Sequence, residues 1–176
     1  TDPDPQRTGP QKGPVGFLHC SPFILYFCPS QLNLGIAMSL SEQEVIRRQS
    51  LEELRKLGIN PFPADLFEVN ITSAVALAQF AEGKELKNIS LAGRIMNRRI
   101  MGNASFAELQ DEAGRIQIYV RRDDLCPGED KALYNTVFKK LLDIGDIIGI
   151  TGFVFKTQTG ETSVHVTSLK VLSKSL

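Results

Sequence analysis

Neither sign of charge prevails in this 176-residue sequence, where 20 Lys and Arg balance 20 Asp and Glu. No global field therefore draws the chain onto a polyanion, and any basic patch must be local. Its three cysteines, Cys20, Cys28 and Cys126, form no Cys-x-x-Cys pair, a pattern that fits neither a disulfide framework nor a zinc site. With His19 and His165 the only histidines, no metal set is expected. No apolar run is long enough to cross a bilayer as a helix; Phe17–Cys28 comes nearest and is broken by His19 and Pro22. Walker loops, Gly-rich phosphate turns and Ser/His/Asp or Cys/His sets are absent too, which leaves no nucleophile or phosphate cradle to build an enzyme on. Hydrophobic content of 42% and charged content of 23% fit an ordinary globular domain with an extension.

Residues 1–37 differ from the rest and read as a disordered or artefactual extension. Thr1–Gly16 is rich in Pro, Gly and Gln, too polar to bury a core. Lys12 ahead of the apolar run, with Gly35-Ile36-Ala37 behind it, gives a faint secretory-signal pattern. Met38, followed directly by a helix cap, fits a natural start better. Residues 38–88 read as an N-terminal helical segment. Ser41 and Glu44 have capping-box spacing, Val45, Leu51, Leu54 and Leu57 form an apolar stripe, and Gly58 stops the helix. Asn60-Pro61-Phe62-Pro63 forces an extended turn, and Ser73–Glu82 forms a second short helix ending at Gly83.

From Ile89 the hydrophobic period changes to two. Strands are expected at Ile89–Arg98, Ala104–Gln110, Arg115–Arg121, Asp146–Lys156 and Glu161–Val171, with a helix over Asp130–Leu142. Gly102-Asn103 and Thr157–Gly160 make turns, and Asp111–Gly114 a hairpin loop with Gly114 in the left-handed position. Three strands, a helix and two strands is the element order of the OB-fold, a five-stranded Greek-key barrel. Residues 89–176 are assigned to it.

The second and third strands each have a polar face. Ile116, Ile118 and Val120 alternate with Arg115, Gln117, Tyr119 and Arg121; Ala107 and Leu109 lie opposite Phe106, Glu108 and Gln110. An aromatic ring and a carboxamide on the outer face of an OB barrel suit an unpaired base, the ring for stacking and the amide for a base edge. From Arg94 to Arg122 six arginines face three acidic residues, a net of +3. The bland alternatives are a Phe106 covered by the N-terminal helix and a Gln117 that is merely a solvated strand position. Arg121-Arg122-Asp123-Asp124 reads as a salt-bridged strand end, and its adjacent carboxylates point opposite ways on a strand, so they make no catalytic pair. His165 shares a polar face with Glu161 and Ser163, and reads as exposed surface or an RNA contact.

The run Gly93–Phe106 resembles the anticodon-binding domain of bacterial-type class II lysyl-tRNA synthetases. So do Leu109-Gln110-Asp111, Gly114–Val120, Arg122–Leu125, Gly145–Gly149, Phe155–Glu161, Leu172–Leu176 and Arg55–Pro63. The resemblance runs from about Met38 to Leu176 and implies a cytoplasmic protein that reads the U-rich anticodon of lysine tRNA. Carried over, Phe106 would stack on the central anticodon base, Gln117 would bond its edge, and Glu161 would contact a neighbouring uridine. Arg94, Arg98 and Arg99 would lie near backbone or bases, Arg99 foremost. The family's whole enzyme is a homodimer that uses ATP and Mg2+. The class II motifs for that chemistry are absent from these 176 residues, which are expected to hold no cofactor and to make no lysyl-adenylate. A general single-stranded nucleic-acid module and a protein-interaction OB domain remain the alternatives.

Overall fold

A computed structural model describes residues 40–176, so the readings placed on residues 1–37 fall outside the described residues. Helix α1 (Glu42–Lys56) starts in a true capping box: the Glu44 amide donates to Ser41 Oγ, and Glu44 Oε2 accepts from the Ser41 amide at 2.7 Å. The expected stripe is only half right. Leu51 and Leu54 are buried, while Val45, in the first half of the helix, and Leu57, at its C-cap, are exposed, so only the middle of the stripe meets the core. Helix α2 (Ser73–Ala81) has no cap of its own at Thr72. Asp111, from a distant loop, supplies one by accepting from the Ser73 amide at 2.6 Å and the Ser73 hydroxyl at 2.7 Å.

Five strands follow: β1 (Ile89–Met101), β2 (Ala104–Gln110), β3 (Arg115–Arg121), β4 (Ile147–Lys156) and β5 (Thr162–Ser173). They close in the order β1-β2-β3-β5-β4, with β4 returning to β1 and β3 running parallel to β5. This is the five-stranded OB barrel expected from the element order. A short helix, α3 (Arg122–Leu125), and a second, α4 (Leu133–Leu141), lie between β3 and β4. The α4 helix is wound with π-type turns and buries Tyr134, Val137, Phe138 and Leu141 in the core. Ile95, Ile118, Val120, Ile148, Ile150, Val164 and Val166 fill the barrel with essentially no exposure, each worth about 1.5–3 kcal/mol of transfer energy. Leu54 of α1 and Ala76 of α2 join the same cluster.

Three local features differ from simple alternation. The β2–β3 loop does not use a left-handed Gly114; the Asp111 carboxylate organises it instead, accepting from the Ala113 and Gly114 amides at 2.9 Å each. Strand β1 carries a bulge between Ile95 and Asn97, beyond which its inward and outward positions exchange. Strand β4 is irregular at Thr151/Gly152, where a Cβ on Gly152 would lie 1.8 Å from the His165 carbonyl oxygen, so only glycine fits. At the end of β5, Lys174 is buried with Asp146 at 2.9 Å and Asp143 at 2.5 Å, and Asp146 also accepts from the Ser175 and Asp143 amides.

Candidate nucleic-acid interface

An open cleft of about 770 Å³ lies on the outer face of β1–β3, bounded at one end by the β4–β5 hairpin. Phe106, Gln117, Glu161, Arg98 and Arg99 all line it, together with Asn97, Met101, Glu108, Arg115 and Thr159. Three arginines against two glutamates give this chain of zero net charge a locally basic site. Phe106 is half-buried, its ring centroid 5.1 Å from that of Tyr119, its cross-strand neighbour. Gln117 stands opposite Glu108 on one side and Ser163 on the other, and its Oε1 accepts from the Ser163 hydroxyl at 2.6 Å.

Glu161 is held in place by the turn before it. The Thr157 amide donates to the Glu161 carbonyl at 2.8 Å, the Glu161 amide to Thr157 Oγ1 at 3.0 Å, and Gly160 turns with φ +89°. The Glu161 side chain is exposed and makes no ion pair among the described residues.

The three candidate arginines part company at the β1 bulge. Arg99 pairs across the ladder with Phe106 and is exposed beside it. Arg98 turns inward opposite Ala107, donates to the Phe138 carbonyl and lies 6.0 Å from the Phe138 ring. Burial pushes its guanidinium pKa down, against the opposing pull of Asp143 and Asp146. It lines the cleft floor but is tied to α4. Arg94, before the bulge, lies elsewhere, in a shallow recess with Gly93, Asp111 and Glu112, and donates to the Gly145 carbonyl at 2.8 Å.

Residues 89–172 match the tRNA anti-codon family, described as an OB-fold nucleic acid binding domain. The matched stretch runs from the start of β1 into β5, the whole of the barrel. Over 141 residues it is 59% identical to the lysine–tRNA ligase of Porphyromonas gingivalis, a match covering 79% of this chain and 24% of that one. It is likewise 59% identical over 137 residues to the lysine–tRNA ligases of Azobacteroides pseudotrichonymphae (78% of this chain, 27% of that one) and Christiangramia forsetii (78% and 24%). The chain thus spans about a quarter of the length of the curated relatives it matches.

Two features of the site do not follow from the sequence pattern. One is Ser163, which has no exposure and whose bond to Gln117 depends on the β3–β5 pairing. The other is an aromatic row beside the cleft, continuing from Phe106: Tyr119 lies 5.7 Å from Phe155 and 5.2 Å from His165, and His165 stacks on Phe153 at 4.7 Å and 19°. His165 is therefore not open surface. Its side chain is 17% exposed and its Nε2 meets Asp124 at 2.8 Å. Asp123 and Asp124 sit on α3 rather than on a strand; Asp123 engages Arg122 and Lys131, and Asp124 lies near Arg121. Alternation alone signals the outward position of Tyr119 but not the pairing that gathers the row. Among the described residues, no helix is long and apolar enough to cross a membrane.

Proposed function

We propose that this chain binds the anticodon loop of lysine tRNA and serves as the tRNA-recognition part of a cytoplasmic lysyl-tRNA synthetase. The observation that carries the proposal is the gathering of Phe106, Gln117, Glu161 and Arg99 into one basic cleft on β1–β3 and the β4–β5 hairpin. An unstacked anticodon base lies on the Phe106 ring, with Gln117 on its edge and Arg99 beside it to take phosphate. Glu161 accepts from the N–H of an adjacent uridine and repels a base that places a carbonyl there. Arg98 supplies charge from the floor, and Arg94 plays no direct part. The near 59% identity to lysine–tRNA ligases supports lysine as the tRNA identity. Binding of this kind needs neither ATP nor Mg2+, which would belong to the charging reaction of the whole ligase, as would its homodimer.

Fluorescence anisotropy with lysine and non-lysine anticodon stem-loops tests the proposal. Selective binding of the lysine stem-loop is expected. Equal affinities, falling together with salt, would instead indicate a general single-stranded module. No binding at all would point to a protein-interaction domain.

A further inference from the structure

We infer that Ser163 decides which way round Gln117 presents its amide, and is thereby a positioning residue for base specificity. The inference rests on the function proposed above. A carboxamide is ambidextrous, since half a turn about its last side-chain bond exchanges donor and acceptor ends. Suppose a pyrimidine is pinned by stacking, with N3 toward the acceptor end of the amide and position 4 toward the donor end. Uracil then offers N3–H to Oε1 and its O4 carbonyl to the Nε2 protons. Cytosine in the same seat sets its N3 lone pair against Oε1 and its amino group against Nε2, like against like. An amide free to turn over would accept both bases, whereas one held in place accepts a single base.

In this structure the amide is held. Ser163 stands opposite Gln117 in the parallel β3–β5 ladder, and its Oγ lies 2.6 Å from Gln117 Oε1. That length is usual for O–H···O and short for N–H···O, so the oxygen end faces the serine. Ser163 is wholly buried, and its hydroxyl makes no other hydrogen bond among the described residues. Turning the amide over would leave a buried hydroxyl proton without an acceptor, which disfavours the turned state about tenfold. Ser163 occupies one lone pair of the amide oxygen. The second lone pair and both N–H donors remain for the base.

The test uses the full 176-residue chain and two stem-loops that differ only in a central uridine or cytidine. Anisotropy gives the ratio of their dissociation constants, and a thermal melt accompanies each variant. The wild-type chain is expected to prefer uridine about tenfold, and Ser163→Ala to fall to a ratio within about twofold while its uridine affinity drops less than about threefold. Ser163→Cys, of nearly the same shape but a poor donor, is expected to lose the ratio as well, and Ser163→Thr, which keeps the hydroxyl, to retain it. A Ser163→Ala chain that discriminates as well as wild type overturns the inference, as does one that weakens on both stem-loops in parallel with the ratio unchanged. A wild-type chain blind to the central base would overturn the proposed function itself, and this inference with it.

Discussion

Arg99 and Phe106 stand directly opposite each other in the β1–β2 ladder, so a guanidinium and a phenyl ring share one outward pair at the cleft. On the proposed reading, a stacked nucleotide would have its base on the ring and its phosphate within reach of the charge. Phe106→Ala removes the platform while leaving the core intact, because the ring is only half-buried on the outer face. The expected loss in stem-loop binding is about 1–3 kcal/mol, roughly fivefold to 150-fold in Kd, with an unchanged melting temperature. Anisotropy and a thermal melt on the same sample check both parts.

Arg99→Ala acts through phosphate. Each single-strand phosphate contact contributes about 0.7 to the slope of log affinity against log salt, and that is the expected drop in slope. Arg94→Ala, in its separate recess, should leave the slope unchanged. A salt titration of both variants separates the two arginines that the motif groups together.

Asp111 predicts an acid-side weakness. Burial pushes its carboxyl pKa up, but hydrogen bonds from Ser73, Ala113 and Gly114 outweigh burial and hold it below the ordinary 3.8. The folded value lies below the unfolded one. Its stabilisation is therefore complete above the ordinary aspartate range and is lost as pH falls through the folded value. Asp111→Asn removes this dependence. Urea midpoints of wild type and variant should differ most near neutrality and converge in acid.

Lys174→Met should be the most damaging single change among those considered. Lys174 and Asp146 are both without side-chain exposure, and removing the ammonium strands a buried carboxylate. The expected cost is about 3–5 kcal/mol, read as a lower urea midpoint with an unchanged slope.

The barrel was legible because β2 and β3 alternate cleanly, and because Ser41 with Glu44, and the glycines at 58, 83, 102 and 160, mark element ends by local chemistry. The outer face of β2 and β3, with Phe106 and Gln117, follows from the same alternation. What escaped depends on tertiary pairing. The β1 bulge exchanges faces after Ile95, which is why Arg98 faces inward and Arg99 outward, the reverse of what unbroken periodicity assigns. Asp111 replaces a left-handed glycine because it can accept four hydrogen bonds at once. Ser163 meets Gln117 only because β5 lies parallel to β3, a partnership between residues 46 positions apart that no local pattern records.

That parallel seam also orders events in time. The hairpin carrying Phe106 and Gln117 closes over a four-residue loop, whereas β5 must return past α3, α4 and β4 before it reaches β3. Loop-closure entropy makes the seam the slower contact to form. A chain with the hairpin made and the seam open already has its stacking ring and its amide, but not the serine that orients the amide. Such a chain would hold RNA without choosing among sequences, and selectivity would mature only with the last closure of the barrel.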